Sequence, residues 1–114
     1  MGASPLATGS GDGASAVGDV LTEKDVSVSA RPVLSSEPPY PSDARRADIE
    51  ADVPVQILVD TGGRVLEARS LSHHGYGLEE AAVQAIRTWR FSPALRGGHP
   101  VRVRMRWTVQ FRLR

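Results

Sequence analysis

Cysteine is absent from all 114 residues. That removes disulfides and thiolate chemistry but leaves the redox compartment open, since exported domains need not carry disulfides. Aromatic side chains make up only 5% of the chain, so the core must be small and largely aliphatic around two tryptophans. No apolar run approaches the roughly twenty residues that span a bilayer. Met1 leads straight into Gly, Ala and Ser, not into the basic and then apolar start of a signal peptide. Work outside the cytoplasm would therefore call for an export or anchoring segment that this chain lacks. Acidic residues stop at Glu80, whereas Arg87, Arg90, Arg96, Arg102, Arg104, Arg106, Arg112 and Arg114 follow, a lopsidedness hidden by the net charge of +1. Such a block invites an anionic partner, or serves as a solvated face that keeps a sheet edge from aggregating. No nucleophile and base stand at a recognisable spacing, so no enzyme and no cofactor are expected.

What is present is organised around the last fourteen residues. Val101, Val103, Met105, Trp107, Val109, Phe111 and Leu113 alternate with Arg102, Arg104, Arg106, Thr108, Gln110, Arg112 and Arg114. A period of two this strict predicts a β-strand with one dry and one charged face. Fully extended it would run about 46 Å at about 3.3 Å per residue. The rest of the chain must cover its dry row, and its free edge is the candidate site of function.

Residues 1–18 are rich in Gly, Ala and Ser without periodicity, and the whole of 1–30 reads as a flexible tether preceding a domain over 31–114. Val26, Val28 and Ala30 alternate briefly, enough for a short strand. Pro32, Pro38, Pro39 and Pro41 then impose an extended approach, with Tyr40 held between two prolines as a pin or as one end of a binding site. Ser42 is placed to cap a short helix through Ala47. Val53, Val55, Ile57 and Val59 mark a first main strand, Asp60-Thr61-Gly62-Gly63 a turn, and Arg64 to Ser72 a second strand. The second strand's parity breaks, and a β-bulge between Val65 and Ala68 would restore it. His73 and His74 lack a third ligand at metal spacing, His99 being distant, so residues 73–77 read as a strand-to-helix loop and no metal site is expected. Leu78, Ala82, Ala85, Ile86 and Trp89 form the apolar face of a helix, stopped by Pro93 and fit to lie over the long strand. The predicted fold is α+β: a three-stranded antiparallel sheet in the order two, one, three, with a short N-terminal helix and a longer crossover helix on one face. Its third strand is a long C-terminal edge strand.

Tyr40-Pro41, Ile49-Glu50 leading into 53–60, Gly63-Arg64-Val65, Leu78-Glu79-Glu80-Ala81-Ala82 and Trp89-Arg90-Phe91-Ser92-Pro93-Ala94 resemble, in order and spacing, the C-terminal domain of the TonB family. The likeness covers residues 30–114. It departs from the family at Ala51, where a glycine is usual, and around the Tyr-Pro pair, where Ser36-Glu37-Pro38-Pro39 precedes and Asp43 follows. The resemblance implies a periplasmic domain of an inner-membrane-anchored protein. Such a domain is coupled to an ExbB/ExbD-like motor and captures the TonB box of an outer-membrane transporter as an added strand. Tyr40, Pro41, Arg104, Arg106, Thr108, Gln110 and Arg112 are the expected partner-binding residues. Two other uses of the same fold are a different envelope-spanning machine, for motility or secretion, and self-association as a homodimer. Nucleic acid is not an expected partner, because the wet face offers no aromatic side chain for base stacking.

Overall fold

The computed structural model describes residues 20–113. In chain order these form β1 (Val20–Thr22), a 3-10 turn (Glu23–Asp25), β2 (Arg31–Leu34), α1 (Ser42–Arg46), β3 (Ala51–Val59), β4 (Val65–Ser70), α2 (Leu78–Arg87), β5 (Arg90–Ser92), β6 (Ala94–Arg96) and β7 (His99–Phe111). The main sheet runs β1-β7-β3-β4 with β6 also on β7, and β2 pairs with β5 in a separate two-stranded ribbon. The fold is thus α+β with a sheet and two helices. The expectation of a three-stranded sheet is too small: five strands share it, because three-residue strands too short to show a period dock onto β7.

The sheet's centre is the antiparallel pair β3 and β7, in register from Ala51 opposite Phe111 to Val59 opposite Val103. Val53, Val55, Ile57 and Val59 meet Val103, Met105, Val109 and Phe111 in the core. Pro54 is tolerated inside β3 because β4 has already ended beside it. The β3–β4 ladder stops at Val55 opposite Ser70, and past that point Leu71 N–H donates to the Pro54 carbonyl at 2.8 Å. On β4 the register slips so that Leu58 faces Glu67 and Val59 faces Val65. Leu66 is the extra residue, and the bulge it forms turns both Val65 and Ala68 to the dry side.

The hairpin turn is held by Asp60, whose Oδ1 accepts the N–H groups of Gly62 at 2.9 Å and Arg64 at 2.8 Å. Gly63 has φ +85°, and a Cβ there would stand 1.9 Å from the Phe91 carbonyl oxygen. Only glycine lets this turn meet β5, where Phe91 N–H donates to the Gly63 carbonyl at 2.9 Å.

Leu78, Ala82, Ala85 and Ile86 are the buried face of α2, but the helix lies over β4 and β3 and not over the long strand as expected. The chain has already left the helix before Pro93, because Thr88 Oγ1 donates to the Ala85 carbonyl and Arg90 opens β5. Phe91 then reaches Trp107 edge-on at 6.2 Å and Trp89 at 6.3 Å, joining the tryptophans through a third ring. Ser42 does not cap α1. Pro41 occupies that position and caps nothing with its side chain. None of the helices among the described residues is long and apolar enough to cross a membrane.

The expected tether falls in two parts. Residues 1–19 lie outside the described residues. Residues 20–30, placed in the tether by their composition, pack on the domain instead. β1 pairs with β7, Val28 bridges Leu95, and Ala30 is buried.

Candidate docking edge

A strand in an antiparallel pair points the N–H and C=O of alternate residues to opposite flanks. On β7 the odd-numbered residues from Val103 to Phe111 share the dry face, and the wet-face residues Arg102, Arg104, Arg106, Thr108 and Gln110 carry the outward amides. Two observations fix this polarity. β1 runs parallel to β7 on the outer flank, with Val20, Leu21 and Thr22 opposite Arg102, Val103 and Arg104. Just beyond, Arg106 N–H donates outward to Glu23 Oε1 at 3.3 Å.

The outer flank is therefore divided. β6 pairs the start of β7 on the inner flank, ahead of β3: Pro100 has no N–H, so His99 and Val101, of the same parity as the residues facing β3, are the ones that bond Arg96 and Ala94. On the outer flank β1 and Glu23 cover the strand from Arg102 to Arg106. This corrects the expectation of a long strand free along its whole edge. From Trp107 onward no strand among the described residues pairs with that flank, and Thr108 and Gln110, both exposed, direct their N–H groups to it.

The arginine row is less free than its sequence implies. Arg104 pairs with Glu67 at 3.4 Å. Arg112 pairs with Asp52 at 2.6 Å and also donates to the carbonyls of Phe111 at 2.9 Å and Ala51 at 3.3 Å. The Arg112 contacts tie the end of β7 to the start of β3. Among the described residues the Arg102 and Arg106 side chains make no ion pair, so they remain to meet an acidic neighbour.

Tyr40 and Pro41 sit at the other end of the flank as structural pins. The Tyr40 hydroxyl donates to the Ile49 carbonyl. Its ring meets Phe111 edge-on at 5.6 Å, and the Arg45 guanidinium lies 5.2 Å from the ring centre. The Pro41 carbonyl accepts the Arg45 N–H at 3.0 Å. Upstream, the Ser36 carbonyl accepts the Trp89 Nε1–H at 3.0 Å. Glu37, Pro38, Pro39, Tyr40 and Arg45 line, with Arg112 and Leu113, an open groove of about 440 Å³ at the exit of β7.

Two features were not read from the sequence. The first is Glu23, whose neighbours Thr22 and Asp25 close the turn. Asp25 Oδ2 accepts the Thr22 N–H at 3.0 Å and its hydroxyl at 2.9 Å. These bonds, the backbone one first, hold the Asp25 carboxyl below its usual range. The Thr-x-x-Asp spacing of 22–25 was the available signal. The second is Glu79, buried at the start of α2. Burial alone would raise its pKa, but the His74 N–H at 2.8 Å, the His74 ring at 2.9 Å, the Ser72 hydroxyl at 3.0 Å and the Gly75 N–H at 3.1 Å together lower it to about 2. His74 thus belongs to the loop that joins β4 to α2, and its ring is spent on Glu79.

The family model described as Gram-negative bacterial TonB protein C-terminal matches residues 36–113. Protein TonB of Vibrio cholerae serotype O1 (strain ATCC 39315 / El Tor Inaba N16961) is 35% identical over 95 residues, which cover 82% of this chain and 37% of that protein. The chain thus spans little more than a third of the length of this curated relative. The solution NMR structure of the Pseudomonas aeruginosa TonB CTD superposes with a TM-score of 0.59 at 27% identity, covering 81% of this chain and 92% of the other.

Proposed function

The chain belongs to the Gram-negative bacterial TonB C-terminal family, and from that membership we propose that it is the periplasmic binding module of a TonB-like energy transducer. It captures a TonB-box-like peptide of an outer-membrane transporter by strand addition on β7. The remainder of the protein supplies an inner-membrane anchor and contact with the motor, and no step is catalytic. The observation that carries this reading is the outer flank of β7 from Trp107 to Phe111, which no strand among the described residues pairs, and where the Thr108 and Gln110 amides face outward on a strand whose other flank is paired by β3 and β6. Main-chain bonds on such an edge supply affinity, and side chains set preference. Arg106 supplies a charge for an acidic residue of the peptide. A partner strand lying along β7 loads its hydrogen bonds together when the two proteins are drawn apart. Resistance to that pull is set by the rate of release.

Titration of the ¹⁵N-labelled chain with a synthetic TonB-box peptide tests the reading. The largest amide shifts are expected at Thr108 and Gln110. Shifts centred on β4, or none at all, would overturn it. Dimerisation on concentration without peptide binding would assign the flank to a second copy of the chain.

A further inference from the structure

We propose that residues 20–25 are a strap over the upstream half of the docking edge, which lifts when the chain ahead of Val20 is pulled and so lengthens the edge available to a partner. The inference rests on edge capture at β7 and adds its regulation.

The covered and uncovered halves are two parts of one flank. Thr108 and Gln110 face outward with no pairing strand among the described residues, whereas Arg102 and Arg104 lie against β1 and Arg106 N–H is taken by Glu23. Lifting 20–25 adds three outward amides to those two and makes a flank that runs from Arg102 to Gln110. The Glu23 carboxylate takes the Arg106 N–H, a main-chain donor that a partner strand's carbonyl would otherwise take, so the strap and the partner compete for the same positions.

The strap is weakly held compared with the segment just after it. β1 is three residues long with Val20 40% exposed, and no residue of Glu23–Asp25 is buried. Its own Thr22–Asp25 bonds are internal and survive its departure. Residues 27–30, by contrast, are clasped. Ser27 and Val28 N–H groups donate to the Leu95 carbonyl at 2.8 and 3.1 Å, Leu95 N–H returns a bond to Val28 at 2.9 Å, and Ala30 is 2% exposed. Tension arriving at Val20 therefore frees residues 20–25 and stops at Ser27, leaving the core intact. Segments with few buried contacts open well before global unfolding. In this arrangement the pull that transmits force also enlarges the grip.

The absence of cysteine permits a clean lock. Val20 faces Arg102 across the parallel pair, so the V20C/R102C variant closes the strap's free end under oxidant while Ser27 holds the other. The oxidised form is expected to bind a ten-residue synthetic TonB-box peptide at least tenfold more weakly than the same protein reduced. In the unlocked chain, amide exchange is expected to be at least tenfold faster at Arg104 and Arg106 than at Val103 and Met105, which face β3. Equal affinity in both redox states would overturn the strap and leave edge capture standing. Absence of binding in both states would remove edge capture. Exchange at Arg104 and Arg106 as slow as at Val103 would overturn the strap whatever the peptide does.

Discussion

Gly63 shows how one residue can fix the meeting of two elements. Its φ of +85° is one that side chains rarely adopt, and the Phe91 carbonyl occupies the space a methyl would need. Gly63→Ala therefore combines backbone strain with a clash against main chain. A loss of about 2–4 kcal/mol is expected, read as a fall in the urea midpoint with an unchanged slope. Glu79 acts through charge. Its folded pKa of about 2 lies below the reference value of 4.5. The stability it contributes is therefore complete above about pH 4.5 and lost as pH falls through 2, because only the unfolded state gains a proton in that window. Glu79→Gln is expected to cost about 2–3 kcal/mol at neutral pH. Urea titrations across pH should show the gap to the parent protein closing between about pH 5 and 2. A gap that stayed constant would mean the charge is not what the Ser72–Gly75 loop recognises.

At the scale of elements, legibility followed length and burial. β7 declared itself because its residues 101–111 repeat a two-residue period, and the β4 bulge could be read because two apolar residues three apart cannot otherwise share a face. The face of α2 was readable for the same reason, but not which strands it covers, since periodicity names a buried side and not its neighbour. β1, β5 and β6 are three residues each, too short for a period, and their partners are fixed by the tertiary fold. That is why the edge was expected to be open along its length, and why Glu23 went unread while Thr108 and Gln110 were singled out. Arg104 and Arg112 were singled out for their charge, yet Glu67 and Asp52 become their neighbours only when β4 and β3 line up. The alternation of β7 also makes an edge variant separable from a folding variant. Gln110 N–H points away from β3, so Gln110→Pro removes an outward donor without taking one from the internal ladder. Peptide affinity is expected to fall about tenfold, consistent with losing a bond worth about 1 kcal/mol and adding a ring at the docking surface. Thermal stability should change little. Val109→Pro, which removes an inward donor, should instead unfold the domain.

Over the whole molecule the charge is lopsided, with no acidic residue after Glu80, and the question is whether a partner is drawn by charge or held by backbone. The arginines fall into two groups. Arg104 and Arg112 are neutralised by Glu67 and Asp52, while Arg102 and Arg106 keep their charge beside the outer flank. A peptide held chiefly by neutral main-chain bonds loses little when salt screens the remaining pair. A nucleic acid neutralised by the full arginine row would instead release counterions and lose affinity as a steep power of salt. Affinity for an acidic TonB-box peptide is accordingly expected to fall no more than about fivefold between 50 and 500 mM salt, measured by fluorescence anisotropy. Most of that change should lie in the association rate, since screening acts on approach more than on the paired strand. The Arg106→Gln variant should flatten the salt dependence further while leaving the dissociation rate nearly unchanged. A fall of a hundredfold or more over that range would mean that the positive surface itself, and not the unpaired flank at Thr108 and Gln110, is what the partner recognises.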